Sequence, residues 1–141
     1  MILDKQYQMA QKLFRQFAET EFTKEALDAL EETGEFNWDM FKKMASYGFM
    51  GVKTPVEYGG QGGDYIDYAI MIEELARISP TFAVYANSQA SLGSGPIMLG
   101  GTEEQKQKYI TPISKGEKIL AFGLTEPEAG SDAGGTTTTA I

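Results

Sequence analysis

The sequence contains neither cysteine nor histidine. Their absence excludes disulfide bonds, thiolate chemistry, zinc sites built from these residues and an imidazole that acts as a base. The side chains left for acid–base chemistry are carboxylates, lysines and tyrosines. We therefore predict that the protein has no metal site.

Basic residues are also scarce, and those present are scattered along the chain. Lys and Arg number 12 against 20 Asp and Glu, which gives a net charge of −8. A nucleic acid or an anionic membrane would require a basic face, so neither is expected as a partner. The sequence lacks a secretory signal and any apolar run long enough to span a bilayer, and we expect a soluble, cytoplasmic protein.

What the sequence has in abundance is helical periodicity. Apolar residues recur every three or four positions over residues 3–22, and a second short helix is expected over residues 23–32, ended by Gly34. The length of 141 residues and the apolar share of 42% suit a single packed core. The residues expected to form the apolar face of the first helix are Tyr7, Ala10, Leu13, Phe14, Phe17 and Ala18.

Capping residues divide the rest of the chain into further helices. Asn37 is a good N-cap, and Phe36 and Phe41 around it have the spacing of a hydrophobic staple. Gly48 suits a left-handed C-terminal cap, and Thr102 pairs with Gln105 as a capping box. The other predicted caps are Asp64 and Ser79, the latter followed by Pro80 at the first helical position.

The expected helix faces and breaks follow from the same pattern. Residues 51–63 are rich in glycine and predict a flexible connector, and Gly93, Gly95 and Pro96 should break or kink the helix that starts at Ser79. A further helix over residues 103–109 should end at Pro112 and Gly116. Core positions are expected at Trp38, Phe41, Met44, Ala45 and Tyr47, and at Tyr68, Ala69, Ile72, Leu75 and Ala76.

After about residue 115 the pattern changes. Residues 119–124 have the length and composition of a strand, and the run Thr136–Thr139 is polar and β-prone. The predicted fold class is therefore mainly α, with strand structure starting near the C-terminal end. A single strand is not stable alone, which indicates that it needs partners elsewhere.

The most informative stretch is residues 121–135, here called the signature segment. It reads as a strand that leads into a turn rich in Gly, Pro, Ser and Asp, which exposes backbone N–H groups and lets a ligand approach the main chain closely. No Gly-Lys-Ser/Thr follows its glycines, so it is not a P-loop. It also lacks Gly-x-Gly-x-x-Gly, the dinucleotide fingerprint.

The pattern Gly123-Leu124-Thr125-Glu126-x-x-Ala129-Gly130-Ser131-Asp132-x-x-Gly135 closely resembles the acyl-CoA dehydrogenase signature. Three further segments resemble the same family in the same order, and the short-chain, butyryl-CoA-like bacterial members look most similar. These segments run from Phe49-Met50-Gly51-Val52 to Glu57-Tyr58-Gly59-Gly60, from Ser91-Leu92-Gly93 to Pro96-Ile97, and from Gly101-Thr102-Glu103-Glu104-Gln105-Lys106 to Tyr109.

The resemblance implies an all-helical N-terminal domain over residues 1–116 and the start of a middle β-domain over residues 117–141. It also implies FAD as cofactor, with Phe122 near the isoalloxazine and Leu124 and Thr125 at its pyrimidine edge. Ser131 would contact the acyl-CoA substrate, and the helix segment from Ser88 to Leu92, with Leu92 as its substrate-binding residue, would border the acyl pocket. The cofactor-binding residues carried over by position are Phe122, Gly123, Leu124, Thr125, Glu126, Pro127, Glu128, Ala129, Gly130 and Ser131.

The same resemblance implies desaturation of acyl-CoA thioesters, electron transfer to an electron-transfer flavoprotein, and a homotetramer in the full-length form. In the family the catalytic base is a glutamate on the C-terminal domain, so no catalytic residue is assigned here, and nothing carries that role to Glu126 or Glu128. An enoyl- or acryloyl-CoA reductase on the same scaffold, an acyl-CoA oxidase, and a non-catalytic helical interaction module are the alternatives.

Overall fold

The computed structural model describes residues 3–139 and is mainly helical, as predicted. Two π-helical turns, Ser88–Gly93 and Lys106–Ile110, each lie between two α-helices and continue the chain without a break. The helices are α1 (Lys5–Glu21), α2 (Lys24–Thr33), α3 (Trp38–Ser46), α4 (Tyr65–Ala76), α5 (Pro80–Asn87), α6 (Ser94–Gly100), α7 (Glu103–Gln105) and α8 (Thr111–Ser114), with 3₁₀ turns at Phe49–Gly51, Val56–Tyr58 and Ala133–Gly135.

The predicted helix starts are confirmed by their side-chain caps. The Asn37 carboxamide oxygen accepts from the Met40 N–H at 2.9 Å, and the rings of Phe36 and Phe41 form the expected staple with centroids 5.5 Å apart. Capping satisfies backbone donors that a helix leaves unpaired at its start. The other caps are Asp64 and Thr102, both in capping boxes, and Ser79 on the Phe82 N–H.

The core forms where α1, α3, α4 and α5 meet, and aromatic rings fill much of it. The Phe17 ring packs edge-on against Phe49 with centroids 4.7 Å apart, and Phe22 meets Phe82 at the same distance. Such tilted ring pairs are favourable beyond the apolar area that they bury. Unbranched methionines complete the packing at positions 44, 50 and 71.

Two of the predicted core residues lie outside this core. Trp38 is 55% exposed and Tyr47 is 54% exposed, because they lie at the two ends of the short helix α3, where only one side of each ring meets the cluster. Phe41, Met44 and Ala45 are buried as predicted. The aromatic stripe therefore overestimated the width of the buried face.

The buried face of helix α4 is confirmed in part. Leu75 is buried as predicted, and Tyr68, Ile72 and Ala76 are partly buried against the core, whereas Ala69 is exposed. Because α4 packs against both α1 and α5, its most buried positions also include Ile70 and Met71, which were not predicted.

A buried carboxylate joins α1 to α4. The Glu74 side chain is 1% exposed, and Arg15 donates to it from Nε at 2.9 Å and from Nη2 at 2.7 Å. Arg77 adds a hydrogen bond at 2.8 Å and Gln11 another at 2.9 Å. Both carboxylate oxygens are thus paired, which is the condition under which a buried charge is tolerated.

The glycine-rich residues 51–63, predicted as a flexible connector, form a loop that is closed by backbone hydrogen bonds. Backbone hydrogen bonds run from Gln61 N–H to Gly51 O at 2.9 Å and from Gly63 N–H to Val52 O at 2.9 Å. A Cβ on Gly60 would lie 2.1 Å from the Thr54 carbonyl oxygen, so a side chain does not fit there. Close approach of two backbone segments explains this glycine.

The helix after Ser79 also continues past its expected break. The π-helical turn ends at Gly93 and α6 begins at Ser94, which places Pro96 in the first turn of α6. Pro96 closely follows the π-helical turn, where the regular α-helical hydrogen-bond pattern is already interrupted, so its missing N–H is tolerated there. Pro112 is accommodated in the same way at the start of α8, and Gly116, with a φ of 71°, follows its end.

The strand predicted over residues 119–124 does not form within residues 3–139. These residues are irregular, and the isolated bridge between Glu126 and Ala129 is the β-type pairing of this region. A strand needs a partner to satisfy its backbone groups, and the described chain offers none here. In the described range, no helix combines the length and apolar character that crossing a bilayer requires.

We expect Glu74→Gln to lower the free energy of unfolding at pH 7 by about 3 kcal/mol, because it leaves two arginines facing a neutral amide. Arg15, then Arg77 and Gln11, lower the pKa of Glu74 from 4.5 to about 2. The ionised form therefore stabilises the fold above pH 4.5, and this contribution of about 3 kcal/mol is lost as the pH falls towards 2.

Urea unfolding of the wild type and the variant, at pH 7 and across pH 4.5 to 2, measures both effects. Glu73→Gln, an exposed carboxylate on the same helix, is the matched control and should change stability by less than about 0.5 kcal/mol. Equal unfolding midpoints for the wild type and Glu74→Gln at pH 7 would contradict the assignment.

Candidate functional site

The chain leaves the helical body through a turn just after α8. The N–H groups of Glu117 and Lys118 both donate to the Pro112 carbonyl, at 2.8 Å and 3.3 Å. Two residues later, Leu120 is held by the side chain of Gln89. The Leu120 N–H donates to the Gln89 Oε1 at 2.8 Å, and the Gln89 Nε2 donates to the Leu120 carbonyl at 3.2 Å.

Residues 121–125, at the start of the signature segment, lie exposed in irregular backbone. Phe122 and Leu124 are each about half exposed, at 49% and 47%. No backbone N–H of residues 121–125 donates to another residue within the described range 3–139. This stretch can therefore offer main-chain donors together with two apolar side chains to a ligand.

A tight turn follows. Glu126 and Ala129 exchange backbone hydrogen bonds of 2.9 Å and 3.2 Å, with Pro127 and Glu128 at the tip. Pro127 suits the second position of such a turn because its φ is fixed near the required value. Ala129 is buried, whereas Gly130 and Ser131 are exposed.

The Glu126 carboxylate closes the segment on itself. It accepts hydrogen bonds from the Thr138 N–H at 3.0 Å, the Thr137 N–H at 2.8 Å and the Thr137 hydroxyl at 3.3 Å. Hydrogen bonds from Thr138 and Thr137 lower the pKa of Glu126 below its usual range. A carboxylate held in its ionised form is a weak base, so its geometry favours a structural role.

The structure brings Leu92 close to the start of the signature segment. Leu92 is half exposed in the π-helical turn, and its neighbour Gly93 faces Leu120 so closely that a Cβ on Gly93 would lie 2.6 Å from the Leu120 Cβ. Ser131 lies beyond the Glu126–Ala129 turn and makes no side-chain hydrogen bond within the described residues. Its hydroxyl can thus serve a ligand.

Gln89 is the residue of this region that the sequence reasoning did not single out. Gln89 is 2% exposed, and a buried polar side chain must find hydrogen-bond partners. In the sequence, the available signal was a glutamine within a helix of mostly apolar residues. Its partners, 31 residues away, were not evident from spacing.

We expect Glu126→Gln to loosen the attachment of Thr137 and Thr138, because one acceptor oxygen becomes an amide donor that faces other donors. Hydrogen exchange of the Thr137 and Thr138 amides should accelerate by about tenfold, the equivalent of one lost hydrogen bond. Glu128→Gln, an exposed carboxylate at the tip of the same turn, is the control. Unchanged exchange in Glu126→Gln would show that the carboxylate does not close the segment.

Comparison with known proteins gives a consistent result. Residues 4–117 match the sequence model described as acyl-CoA dehydrogenase, N-terminal domain. A subunit of the caffeyl-CoA reductase–Etf complex, CarC of Acetobacterium woodii, is 53% identical over 141 residues, which is all of this chain and 37% of that relative. The chain thus spans little more than a third of the length of this relative.

Solved structures agree with the sequence match. Butyryl-CoA dehydrogenase from Megasphaera elsdenii superposes with a TM-score of 0.84 at 34% identity, covering 98% of this chain and 37% of that one. An acyl-CoA dehydrogenase from Bacillus anthracis, solved in complex with FAD, gives a TM-score of 0.83 at 34% identity, covering 95% and 23%. The chain belongs to the acyl-CoA dehydrogenase family.

Proposed function

We propose that this chain supplies part of the FAD site of an acyl-CoA dehydrogenase, an oxidoreductase that introduces an α,β double bond into acyl-CoA thioesters. The observation that carries the proposal is the exposed stretch 121–125, whose N–H groups donate to no described residue and which lies at the start of the family signature. The FAD complex of the Bacillus anthracis relative supports the choice of cofactor.

The residues at hand fit one edge of a flavin. In the proposal, the Leu124 N–H and the Thr125 hydroxyl donate to the pyrimidine edge, and Phe122 lies near the isoalloxazine. Gly123 leaves room for a ligand to approach the backbone, since even a Cβ there would meet nothing within 4 Å. The other members of the proposed cofactor-binding stretch are Glu126, Pro127, Glu128, Ala129, Gly130 and Ser131.

These groups explain how the chain would favour electron uptake. FAD would supply the acceptor for the hydride that leaves the acyl chain, and the Leu124 N–H and the Thr125 hydroxyl would face the negative charge of its reduced form. Preorganised donors at the pyrimidine edge stabilise the charge that develops there. Ser131 would bind the substrate through its free hydroxyl, and the half-exposed Leu92 would border the acyl chain.

The rest of the site is proposed to lie outside this chain. At the signature segment, the Glu126 carboxylate is occupied by hydrogen bonds from Thr138 and Thr137, which lower its pKa and make it a weak base. We propose that a base and further flavin contacts come from regions of the full-length protein that correspond to the parts of the relatives outside this match. On this view residues 1–116 form the helical domain, residues 117–141 begin a β-domain, and the full-length protein acts in the cytoplasm as a homotetramer.

A second candidate is the reverse reaction, reduction of an enoyl-CoA with electrons from an electron-transfer flavoprotein. The Acetobacterium woodii relative favours it, because that protein is a subunit of a caffeyl-CoA reductase–Etf complex. The flavin edge proposed here serves both directions, since the same donors stabilise the reduced cofactor. Electron supply and substrate then decide the direction.

The test uses the full-length protein with FAD bound, in the absence of oxygen. Bleaching of the flavin by butyryl-CoA supports the dehydrogenase, whereas reoxidation of pre-reduced flavin by caffeyl-CoA, without bleaching by butyryl-CoA, supports the reductase. A full-length protein that binds no FAD would overturn both.

We expect Thr125→Val to weaken FAD binding about tenfold in the full-length protein, because it removes a donor to a charged edge while keeping the side-chain shape. Thr20→Val, an exposed threonine on α1, is the control and should leave the FAD dissociation constant unchanged. Fluorescence titration of the apoprotein with FAD measures both. Equal affinities for the wild type and Thr125→Val would remove this hydroxyl from the site.

A further inference from the structure

Gln89 presents its side-chain amide to Leu120 as a neighbouring strand would present a peptide group. The Leu120 N–H donates to the Gln89 Oε1 at 2.8 Å, and the Leu120 carbonyl accepts from the Gln89 Nε2 at 3.2 Å. Antiparallel strands exchange the same pair of bonds at each hydrogen-bonded position. Gln89 is 2% exposed, so water does not compete for these bonds.

The helix surface beside Gln89 is shaped to receive Leu120. An ideal Cβ on Gly93 would lie 2.6 Å from the Leu120 Cβ, a distance that side chains do not tolerate. A Cβ on Gly95, two residues further, would meet nothing within 4 Å. Leu120 therefore requires a glycine at position 93, whereas it sets no such requirement at position 95.

The π-helical turn has its own part in this arrangement. Ser88–Gly93 holds both the glutamine that binds Leu120 and the glycine that makes room for it. π-Helical turns inside α-helices are rare and often mark functional positions. The Gln89 Nε2 also donates to the Ser88 hydroxyl at 3.0 Å, which fixes the orientation of the amide.

Among residues 3–139, no hydrogen bond links residues 121–139 to the helical body. Within the described range, every hydrogen bond made by residues 121–139 stays inside that segment, as the Glu126–Ala129 and Glu126–Thr138 pairs show. The two bonds from Gln89 thus set where residues 122–125 leave the helical surface. A change there would move the exposed donors of the segment.

We propose that Gln89 is a positioning residue for the flavin-binding segment. It holds the Leu120 backbone by two hydrogen bonds, in the space that the missing side chain of Gly93 leaves on the helix. The inference rests on the function proposed above. It predicts that loss of the Gln89 amide weakens FAD binding without any contact between Gln89 and the cofactor.

The first experiment compares the wild type with Gln89→Leu, which keeps the size of the side chain and removes both hydrogen bonds. In the full-length apoprotein, exchange of the Leu120 amide should accelerate by about tenfold. Amides of α1 and α4 should keep their protection, because the change is local. FAD titration should show affinity weakened by about tenfold, and the visible band of the bound flavin should shift.

The second experiment avoids any doubt over folding of the glutamine variant. Gly93→Ala and Gly95→Ala gain the same helix propensity, but the first places a methyl group against Leu120 and the second does not. We expect Gly93→Ala to weaken FAD binding at least fivefold relative to Gly95→Ala. Both apoproteins should unfold near the wild-type melting temperature, because the larger change displaces only one side chain.

The outcomes separate this inference from the function on which it rests. Unchanged Leu120 exchange in Gln89→Leu, or faster exchange with unchanged FAD affinity, would overturn the positioning role and leave the flavin site intact. A wild-type protein that binds no FAD would overturn the proposed function, and the inference with it. Equal FAD affinities for Gly93→Ala and Gly95→Ala would overturn the proposed seat of Leu120.

Discussion

One buried carboxylate organises the helical body. Glu74 on α4 accepts hydrogen bonds from Arg15 and Gln11 on α1 and from Arg77 next to its own helix, so both oxygens are paired away from water. A charge placed there without partners would be too costly to keep, and the register of α1 against α4 is therefore fixed by chemistry as well as by shape. The aromatic core between α1, α3 and α5 can then pack in one arrangement, with Phe17 against Phe49 and Phe22 against Phe82.

From this fixed body the chain must change from helix to extended backbone, and that junction is the least self-sufficient part of the structure. An extended segment has unpaired N–H and C=O groups that need partners. For Leu120 the partners are supplied by the Gln89 side chain, while residues 121–125 keep theirs exposed. The helical domain thus carries the signature segment in a form that leaves its donors available, which is what a ligand-binding edge requires.

Features set by neighbouring residues could be predicted from the sequence, and features set by distant contacts could not. Asn37, Asp64, Ser79 and Thr102 cap their helices as expected, because a cap depends on only three or four positions. The buried face of α4 was predicted only in part, since it depends on two helices packing against it. Gln89 and Glu74 escaped notice for the same reason, as their partners lie 31 and 59 residues away. At the candidate site, the sequence predicted the signature segment, but its attachment to the helical body follows only from the structure.

The proposed roles of Leu92 and Gln89 meet in the π-helical turn. Leu92, proposed to border the acyl chain, lies between Gln89 and Gly93, the two residues that seat Leu120 ahead of the proposed flavin contacts. All three residues lie within one six-residue turn, Ser88–Gly93. A substitution at Leu92 that shifts the backbone of this turn would therefore also shift the residues that contact Leu120. In the proposed function, this turn would link the fit of the acyl chain to the placement of the flavin edge, and substitutions at Leu92 should then change cofactor affinity as well.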